Sequence, residues 1–242
     1  MKLRLLLSAI AAVAALGMSA ISNAVSIDPP SLSINGWAPS LTALGCTADA
    51  AGIETCAGGG LSQVKLGSPF TLTEWDLTLD PDPSVFGFIA IQNNLTVAQT
   101  FTFVFLVPVA SQGPSVQVSG SISGSLTEGT AIPDSASLTS VAPSMYQAQI
   151  DGLTVQTLLN HSQSFSTTTS TTWGPASFGP TTLGQAANTS IAIRVDFTLS
   201  PGDLASFTSR FNVIAVPEPA TLAMLGGGLV GLVAFGRRYP RS

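Results

Sequence analysis

Residues 190–215 read SIAIRVDFTLSPGDLASFTSRFNVIA and carry the clearest structural signal in the chain. Apolar and polar side chains alternate on both sides of a Ser-Pro-Gly-Asp sequence at 200–203. A period of two is typical of a strand with one buried and one solvated face, and Ser-Pro-Gly-Asp favours a turn. The stretch therefore predicts a β-hairpin from about Thr189 to Ala215, with Arg194, Asp196 and Thr198 facing outward.

The same alternation recurs through the body of the chain. It is clear in TLTEWDLTL at 71–79 and in SVQVSGSISGSL at 115–126. Two other runs, VFGFIAIQN at 85–93 and TFTFVFLVPV at 100–109, are apolar on both faces, which favours central strands covered on each side. Helical periodicity is absent, although AQIDGLTVQTLLN at 148–160 is ambiguous.

These patterns predict an all-β fold. Regular strand spacing with many Gly, Pro and Ser residues indicates a single antiparallel β-sandwich or jelly-roll-like domain, with about eight to ten strands from Ser31 onward. We place this domain at residues 25–215. The hydroxyl-rich stretch 162–182 is interpreted as a strand and loop, with sugar attachment as the alternative.

The N-terminus has the three parts of a secretory signal peptide. Lys2 and Arg4 precede an apolar stretch from Leu5 to about Gly17, and Ser22-Asn23-Ala24 matches a cleavage site of small residues. An apolar helix of this length is short for a membrane span. We therefore expect residues 1–24 to be a signal helix that directs export through the Sec machinery and is removed after Ala24.

Charge is distributed unevenly along the chain. Five of the eight Lys and Arg residues lie at the two ends, whereas the interior holds Lys65, Arg194 and Arg210 against twelve acidic residues from Asp28 to Asp203. An acidic body argues against nucleic acid and anionic membrane surfaces as partners. Basic residues beside each terminal apolar run are consistent with cytoplasmic ends flanking an exported middle.

Cys46 and Cys56 are the two cysteines of the chain. In an exported protein such a pair favours a disulfide over free thiols. A metal site is the least favoured alternative, because only Asp49 and Glu54 lie nearby and no histidine does. Closing so short a loop would stabilise the fold by about 2–3 kcal/mol.

Few residues suggest catalysis or metal binding. The single histidine, His161, has no recognisable nucleophile motif near it, and we expect an ordinary histidine and no enzyme activity. Asp80 and Asp82 in Asp-Pro-Asp-Pro could contribute to a calcium site, although a strand-ending turn is the favoured interpretation. No other metal site and no cofactor is predicted.

Tryptophans are the weak candidates for binding sugars by stacking. Trp75 falls on the apolar face of its predicted strand and should be buried. Trp37 and Trp173 remain as candidates if they are exposed.

The C-terminal segment, residues 216–242, consists of three successive parts that differ in composition from the body of the chain. Pro217, Glu218 and Pro219 favour an extended backbone. An uncharged run from Ala220 to Gly236 follows, and a helix of that length reaches only about 25 Å. Gly226–Gly228 weaken such a helix further, and Arg237 and Arg238 close the run. We expect a short, transient transmembrane helix, with a simple anchor helix as the alternative.

Taken together, signal peptide, Pro-Glu-Pro, short glycine-containing span and terminal arginines resemble the PEP-CTERM sorting signal. The resemblance covers about a tenth of the chain and implies processing by an exosortase of a Gram-negative bacterium. It also implies an association with exopolysaccharide or a biofilm matrix. It brings no catalytic residues to this sequence.

From these observations we expect a non-enzymatic protein of the cell surface or extracellular matrix, tethered to the inner membrane before processing. Its partners would be the exosortase, the Sec machinery and an exopolysaccharide, and it would touch the membrane only through the C-terminal segment. A carbohydrate-binding module with a defined sugar site is the alternative, and a hydrolase is the least favoured hypothesis.

Overall fold

The computed structural model describes residues 29–63, 69–129, 135–141, 143–216 and 226–229. In chain order the strands are β1 (Ser31–Ile34), β2 (Thr47–Ala48), β3 (Glu54–Gly58), β4 (Leu61–Gln63), β5 (Phe70–Asp80), β6 (Ser84–Asn93), β7 (Gln99–Pro108), β8 (Val116–Thr127), β9 (Ala136–Ser140), β10 (Ser144–Ile150), β11 (Leu153–Asn160), β12 (Ser164–Thr167), β13 (Ser170–Leu183), β14 (Ser190–Leu199) and β15 (Leu204–Ala215). One 3-10 helix spans Leu41–Leu44.

The strands form two antiparallel sheets. Sheet A has the order β1-β7-β14-β10-β11, with β9 beside β14 and β12 beside β9. Sheet B has the order β13-β8-β15-β6-β5-β3-β2, with β4 beside β5. The all-β antiparallel prediction is confirmed, but the predicted strand number is wrong, because the described residues contain fifteen strands. Pieces as short as β2 or β4 carry too few residues for alternation to reveal them.

The stretch 190–215 forms two strands joined by a turn, but they are not a hairpin. β14 pairs with β7, β9 and β10 in sheet A, whereas β15 pairs with β6 and β8 in sheet B. The turn at 200–203 therefore carries the chain from one sheet to the other. The hairpin prediction fails because alternation identifies the buried face of a strand and says nothing about its hydrogen-bonded neighbours.

Aromatic side chains from both sheets meet in one core. Phe103 on β7 lies edge-on to Phe207 on β15 with ring centroids 5.0 Å apart, and Phe197 on β14 lies 6.0 Å from Phe207. Gly87 on β6 faces this layer, since a Cβ there would stand 2.9 Å from the ring of Phe105. Such aromatic pairs contribute about 0.5–1.5 kcal/mol beyond their buried area. The two sheets thus pack face to face as a sandwich.

The two doubly apolar runs became central strands, as predicted. β6 lies between β5 and β15, and β7 lies between β1 and β14. The expectation that both faces are covered is met only in part in the described residues, because the outward Val104 and Leu106 of β7 are partly buried, and β6 is similar. Phe86 and Phe88 lie on the outer face of sheet B and are only partly buried.

β13 is an edge strand of sheet B and contains a five-residue repeat, WGPAS at 173–177 and FGPTT at 178–182. The Gly-Pro pair of each unit is left out of the pairing with β8 and forms a bulge. The aromatic ring of each unit packs over a glycine of β8: Trp173 over Gly124 and Phe178 over Gly120. Bulges and prolines prevent another strand from extending the sheet at this edge.

Candidate functional site

The C-terminal segment is joined to the sandwich through a central strand. β15 is hydrogen-bonded to β6 on one side and to β8 on the other, and its last residue, Ala215, lies opposite Val116. The backbone N–H of Val216 then donates to the carbonyl of Ser115 at 2.9 Å. The folded body is therefore firmly held up to the residue at which the segment begins.

The predicted sorting residues Pro217–Pro219 and Arg237–Arg238 lie outside the described residues, as does the predicted cleavage site at Ala24. Within the C-terminal segment, residues 226–229 form one exposed helical turn. In the part of the chain that the structure describes, no helix is long and apolar enough to cross a membrane.

Several loops surround the point where β15 ends, and we call this the tail end of the sandwich. A Cβ at Gly113, in the loop between β7 and β8, would lie 3.8 Å from the side chain of Ala215. The neighbouring Gln112 donates its N–H to the carbonyl of Ala187 at 2.7 Å, in the loop before β14. The β10–β11 turn lies beside that loop, because Asp151 N–H donates to the carbonyl of Ser190 at 2.9 Å.

The carboxylate of Asp151 organises these loops. Its Oδ1 accepts hydrogen bonds from the N–H of Thr189 at 2.8 Å, from the Thr189 hydroxyl at 2.9 Å and from the N–H of Ser190 at 3.0 Å. Its Oδ2 accepts from the N–H of Asn188 at 3.0 Å. Burial raises the pKa of the Asp151 carboxyl, but the backbone donors Ser190, Thr189 and Asn188 outweigh it and leave the pKa below its ordinary value.

The role of Asp151 was not anticipated from the sequence. The Asp-Gly dipeptide at 151–152 is the usual signal for a tight two-residue hairpin turn, and here Asp151 and Gly152 adopt φ of 51° and 79°. Recognising that signal would have resolved the ambiguous run 148–160 into the β10–β11 hairpin. The partner loop at 188–190 could not have been found from local sequence.

Two shallow cavities flank the first described residues at the tail end. They have volumes of about 310 and 340 Å³ and share Pro29, Pro30 and Glu54 as lining residues. Apart from Glu54 the shared lining is apolar and carries no aromatic ring. These cavities offer little that would orient a ligand.

Cys46 and Cys56 form a disulfide, as predicted. It fastens the segment before β2 to β3, at the outer edge of sheet B. Cys56 is buried in the core, and Trp75 on the adjoining β5 donates its Nε1–H to the carbonyl of Leu44 at 3.0 Å. The bridge thus secures a part of the sandwich whose strands are short.

Asp80 is the last residue of β5, and Asp82 lies in the tight turn between β5 and β6. The Oδ1 of Asp80 accepts a hydrogen bond from the N–H of Asp82 at 2.8 Å, which is an Asx turn. Among the described residues, no three His, Cys, Asp or Glu side chains are grouped to hold a metal ion. The geometry agrees with the favoured turn interpretation. Calcium binding stays a hypothesis, which a rise in melting temperature with millimolar calcium would support.

The burial of the tryptophans differs in part from the expectation based on the sequence. Trp75 is buried, as predicted. Trp173 is also buried and stacks on Phe165 with ring centroids 5.7 Å apart, so it is not available to stack on a sugar. Trp37 is partly buried and contacts Phe70 edge-on. The alternating pattern around Trp173 is broken by the bulges of β13, which is why its burial could not be inferred.

Two buried carboxylates are structural. Asp196 faces outward as predicted, yet it is only 3% exposed. It accepts hydrogen bonds from Thr102 Oγ1 at 2.6 Å, Gln147 Nε2 at 3.3 Å and Arg194 Nε at 2.6 Å. Asp203 accepts from the hydroxyl of Ser200 and therefore closes the turn between the sheets. Both carboxylates are engaged by the fold itself.

His161 is exposed in the turn after β11. Its backbone N–H donates to the carbonyl of Pro143 at 3.0 Å. No hydrogen bond in the described residues links its imidazole to a nucleophile.

Comparison with known proteins adds one finding, at the C-terminus. No curated protein matches the chain. The family description "PEP-CTERM protein-sorting motif" matches residues 215–238, which begin at the last residue of β15 and include all five predicted sorting residues. The chain therefore carries a PEP-CTERM protein-sorting motif, which marks an exported protein that is anchored at the membrane before an exosortase processes it.

Proposed function

We propose that the protein is a non-enzymatic component of the cell surface or extracellular matrix of a Gram-negative bacterium. Residues 1–24 direct Sec export and are removed, and residues 216–242 hold the chain in the inner membrane. The exosortase then cleaves near Pro217–Pro219, and the body at 25–215 is released or transferred to the envelope. There it associates with exopolysaccharide in the biofilm matrix.

One observation carries this proposal: the sorting motif begins on the last residue of β15. Every strand of the described sandwich ends at or before Ala215, so cleavage near Pro217–Pro219 removes no strand from either sheet. A body that remains whole after cleavage is what delivery to the surface requires.

Support for a non-enzymatic role comes from the carboxylates. The buried Asp196 and Asp203 are held by donors of the fold, and Asp151 joins two loops. These groups serve structure and are not free to act as acid or base. Turnover of host polysaccharide by the purified protein would contradict this part of the proposal.

The test of processing is the intact mass of the protein from its native host. We expect a mature chain that lacks residues 1–24 and most of 217–242. Pro217→Ala with Pro219→Ala should increase the proportion of unprocessed chain. The chain offers a matched control, because Pro81-Asp82-Pro83 is a second Pro-acid-Pro sequence. Pro81→Ala with Pro83→Ala should leave the mature mass otherwise unchanged, and a wild-type chain that ends at Ser242 would overturn the proposal.

The second candidate function is a carbohydrate-binding module. The observation that favours it is the partly buried aromatic pair Phe86 and Phe88 on the outer face of sheet B. Retention on a polysaccharide column, lost when these rings are replaced, would support this function.

A further inference from the structure

The outer face of sheet B has an aromatic centre. On β6, Gly87 and Ile89 face the core, so the alternating residues Phe86 and Phe88 face outward. Residues two apart on one strand are about 6.6 Å apart, so the two rings are neighbours on one surface. Partly exposed rings on a central strand are unusual for an outer face, because most outward positions of such strands are polar.

The neighbouring strands surround this pair with polar side chains. On β5, Asp76 lies opposite Phe88 and Thr78 opposite Phe86. On β15, Arg210 lies opposite Phe86 and Thr208 opposite Phe88. Asp76 and Arg210 are exposed, and the Nε–H of Arg210 donates to the side chain of Asn212 at 3.2 Å, which keeps the guanidinium on this face.

Hydroxyl groups extend the surface beyond β15. Ser121 and Ser123 on β8 lie opposite Arg210 and Thr208. The hydroxyls of Ser125 and Ser206 are hydrogen-bonded to each other at 2.7 Å on the same face. Across this face, acidic side chains on β5 are followed by the two aromatic rings on β6 and then by hydroxyl side chains on β15 and β8.

We infer that this face binds an extended, uncharged polysaccharide chain; the inference rests on the proposed association with exopolysaccharide and names its site. The C–H face of a sugar ring stacks on Phe86 and Phe88. Asp76 and Glu74 accept hydrogen bonds from sugar hydroxyls, and Arg210 donates to them. The surface is an open strip across several strands, which suits a chain better than a single sugar.

The charge and composition of this face favour an uncharged polysaccharide over an acidic polysaccharide or a protein partner. Glu74 and Asp76 against Arg210 leave the strip without a net positive charge, so an acidic polysaccharide gains no attraction there. A protein partner would require a larger apolar patch than two partly buried rings. A chain rich in hydroxyls matches the alternating hydroxyls, carboxylates and rings of this face.

The test uses the chain purified from its host, with its mass recorded, and native gel electrophoresis through the host's exopolysaccharide. The polysaccharide is separated by anion exchange into a neutral and an acidic fraction. We expect the neutral fraction to retard the wild-type protein. Phe86→Thr with Phe88→Thr keeps strand propensity and should weaken binding by about tenfold or more. Glu74→Gln with Asp76→Asn should weaken it without altering the rings.

Sheet A supplies the matched control. Val104 and Leu106 are partly buried, outward apolar residues two apart on the central strand β7. Val104→Thr with Leu106→Thr should leave retardation unchanged. Melting temperatures show whether each variant is folded. If the phenylalanine variant does not fold, the carboxylate variant still tests whether this face binds the polysaccharide.

Four results would overturn the inference: no retardation by the neutral fraction, retardation by the acidic fraction alone, equal loss in the sheet A control, or unchanged binding in both sheet B variants. If the phenylalanine variant instead dissociates a dimer, the face is an interface between copies and the inference is also wrong. A mass that includes residues 217–242 would refute the proposed processing independently of any binding result.

Discussion

Asp151 shows how one side chain connects distant parts of the chain. It lies in the turn between β10 and β11, and its carboxylate accepts hydrogen bonds from residues 188–190, at the start of β14. A carboxylate with several N–H donors is stabilised in its ionised form. The side chain therefore links the turn to the loop more strongly when it is charged than when it is protonated.

We expect Asp151→Asn to lower the free energy of unfolding by about 1–2 kcal/mol at neutral pH, because the amide accepts these hydrogen bonds less well. The folded pKa lies below the unfolded value of about 3.9. The contribution of the carboxylate is thus complete above that value and is lost as the pH falls through the folded pKa. Denaturant titrations at neutral pH and below about pH 4 should show the difference between wild type and variant shrinking in acid.

The control for this prediction is Asp82→Asn, since Asp82 is an exposed carboxylate in the turn between β5 and β6. It should change stability little at either pH. An Asp151→Asn variant as stable as wild type at neutral pH would show that the network contributes nothing.

Gly179 illustrates a close backbone approach. Its φ is 88°, and a Cβ there would stand 2.4 Å from the carbonyl oxygen of Val118. Gly179→Ala should therefore destabilise the protein by about 1–3 kcal/mol or more, measured by thermal or denaturant unfolding. Gly184→Ala is the matched control, because a Cβ at Gly184 meets no atom within 4 Å. Equal effects of the two substitutions would contradict the packing of β13 on β8.

At this scale the sequence predicts some environments well and others poorly. Cys46, Cys56 and the burial of Trp75 followed from pairing and alternation. Trp173 and Asp196 did not, because their burial depends on bulges and on donors from other strands. Non-local contacts of this kind leave no periodic signal in the chain.

Among the elements, β14 and β15 show the limit of pattern analysis most clearly. Both strands and their turn were predicted within a few residues, yet the strands belong to different sheets. Their inward residues share one core in either arrangement, so alternation is equally compatible with a hairpin and with a crossing between sheets. The β10–β11 hairpin, in contrast, follows from a local Asp-Gly turn.

The disulfide between Cys46 and Cys56 stabilises the short strands at one edge of sheet B. It closes a loop with a sequence separation of 10 residues at the edge of sheet B, where β2 has two residues and β3 has five. Replacing both cysteines by serine should lower the free energy of unfolding by about 2–3 kcal/mol, from the chain entropy restored to the unfolded state. Reduction of the wild-type protein should lower its melting temperature to a similar degree. A fully reduced protein with unchanged melting temperature would contradict this role.

At the scale of the whole molecule, the proposed polysaccharide-binding face and the start of the sorting motif lie on different parts of sheet B. The matched motif begins at Ala215, the last residue of β15, at the tail end, whereas Phe86 and Phe88 lie on the broad outer face of sheet B. The sequence alone located the motif, because its residue types are local and ordered. It could not locate the outer face, because the exposure of β6 depends on which elements cover it.

Because every strand of the described sandwich ends at or before Ala215, a chain ending at Val216 should fold as stably as the full chain, within about 0.5 kcal/mol. A chain ending at Phe211 loses Asn212–Ala215, which pair with β8 on one side, and Asn212 also pairs with β6 on the other. It should be destabilised by about 2 kcal/mol or more, since buried Val213 leaves the core. Circular dichroism melts of the three chains make the comparison. A loss of stability on removing residues 217–242 alone would mean that the motif is part of the folded body, and cleavage there could not leave the sandwich intact.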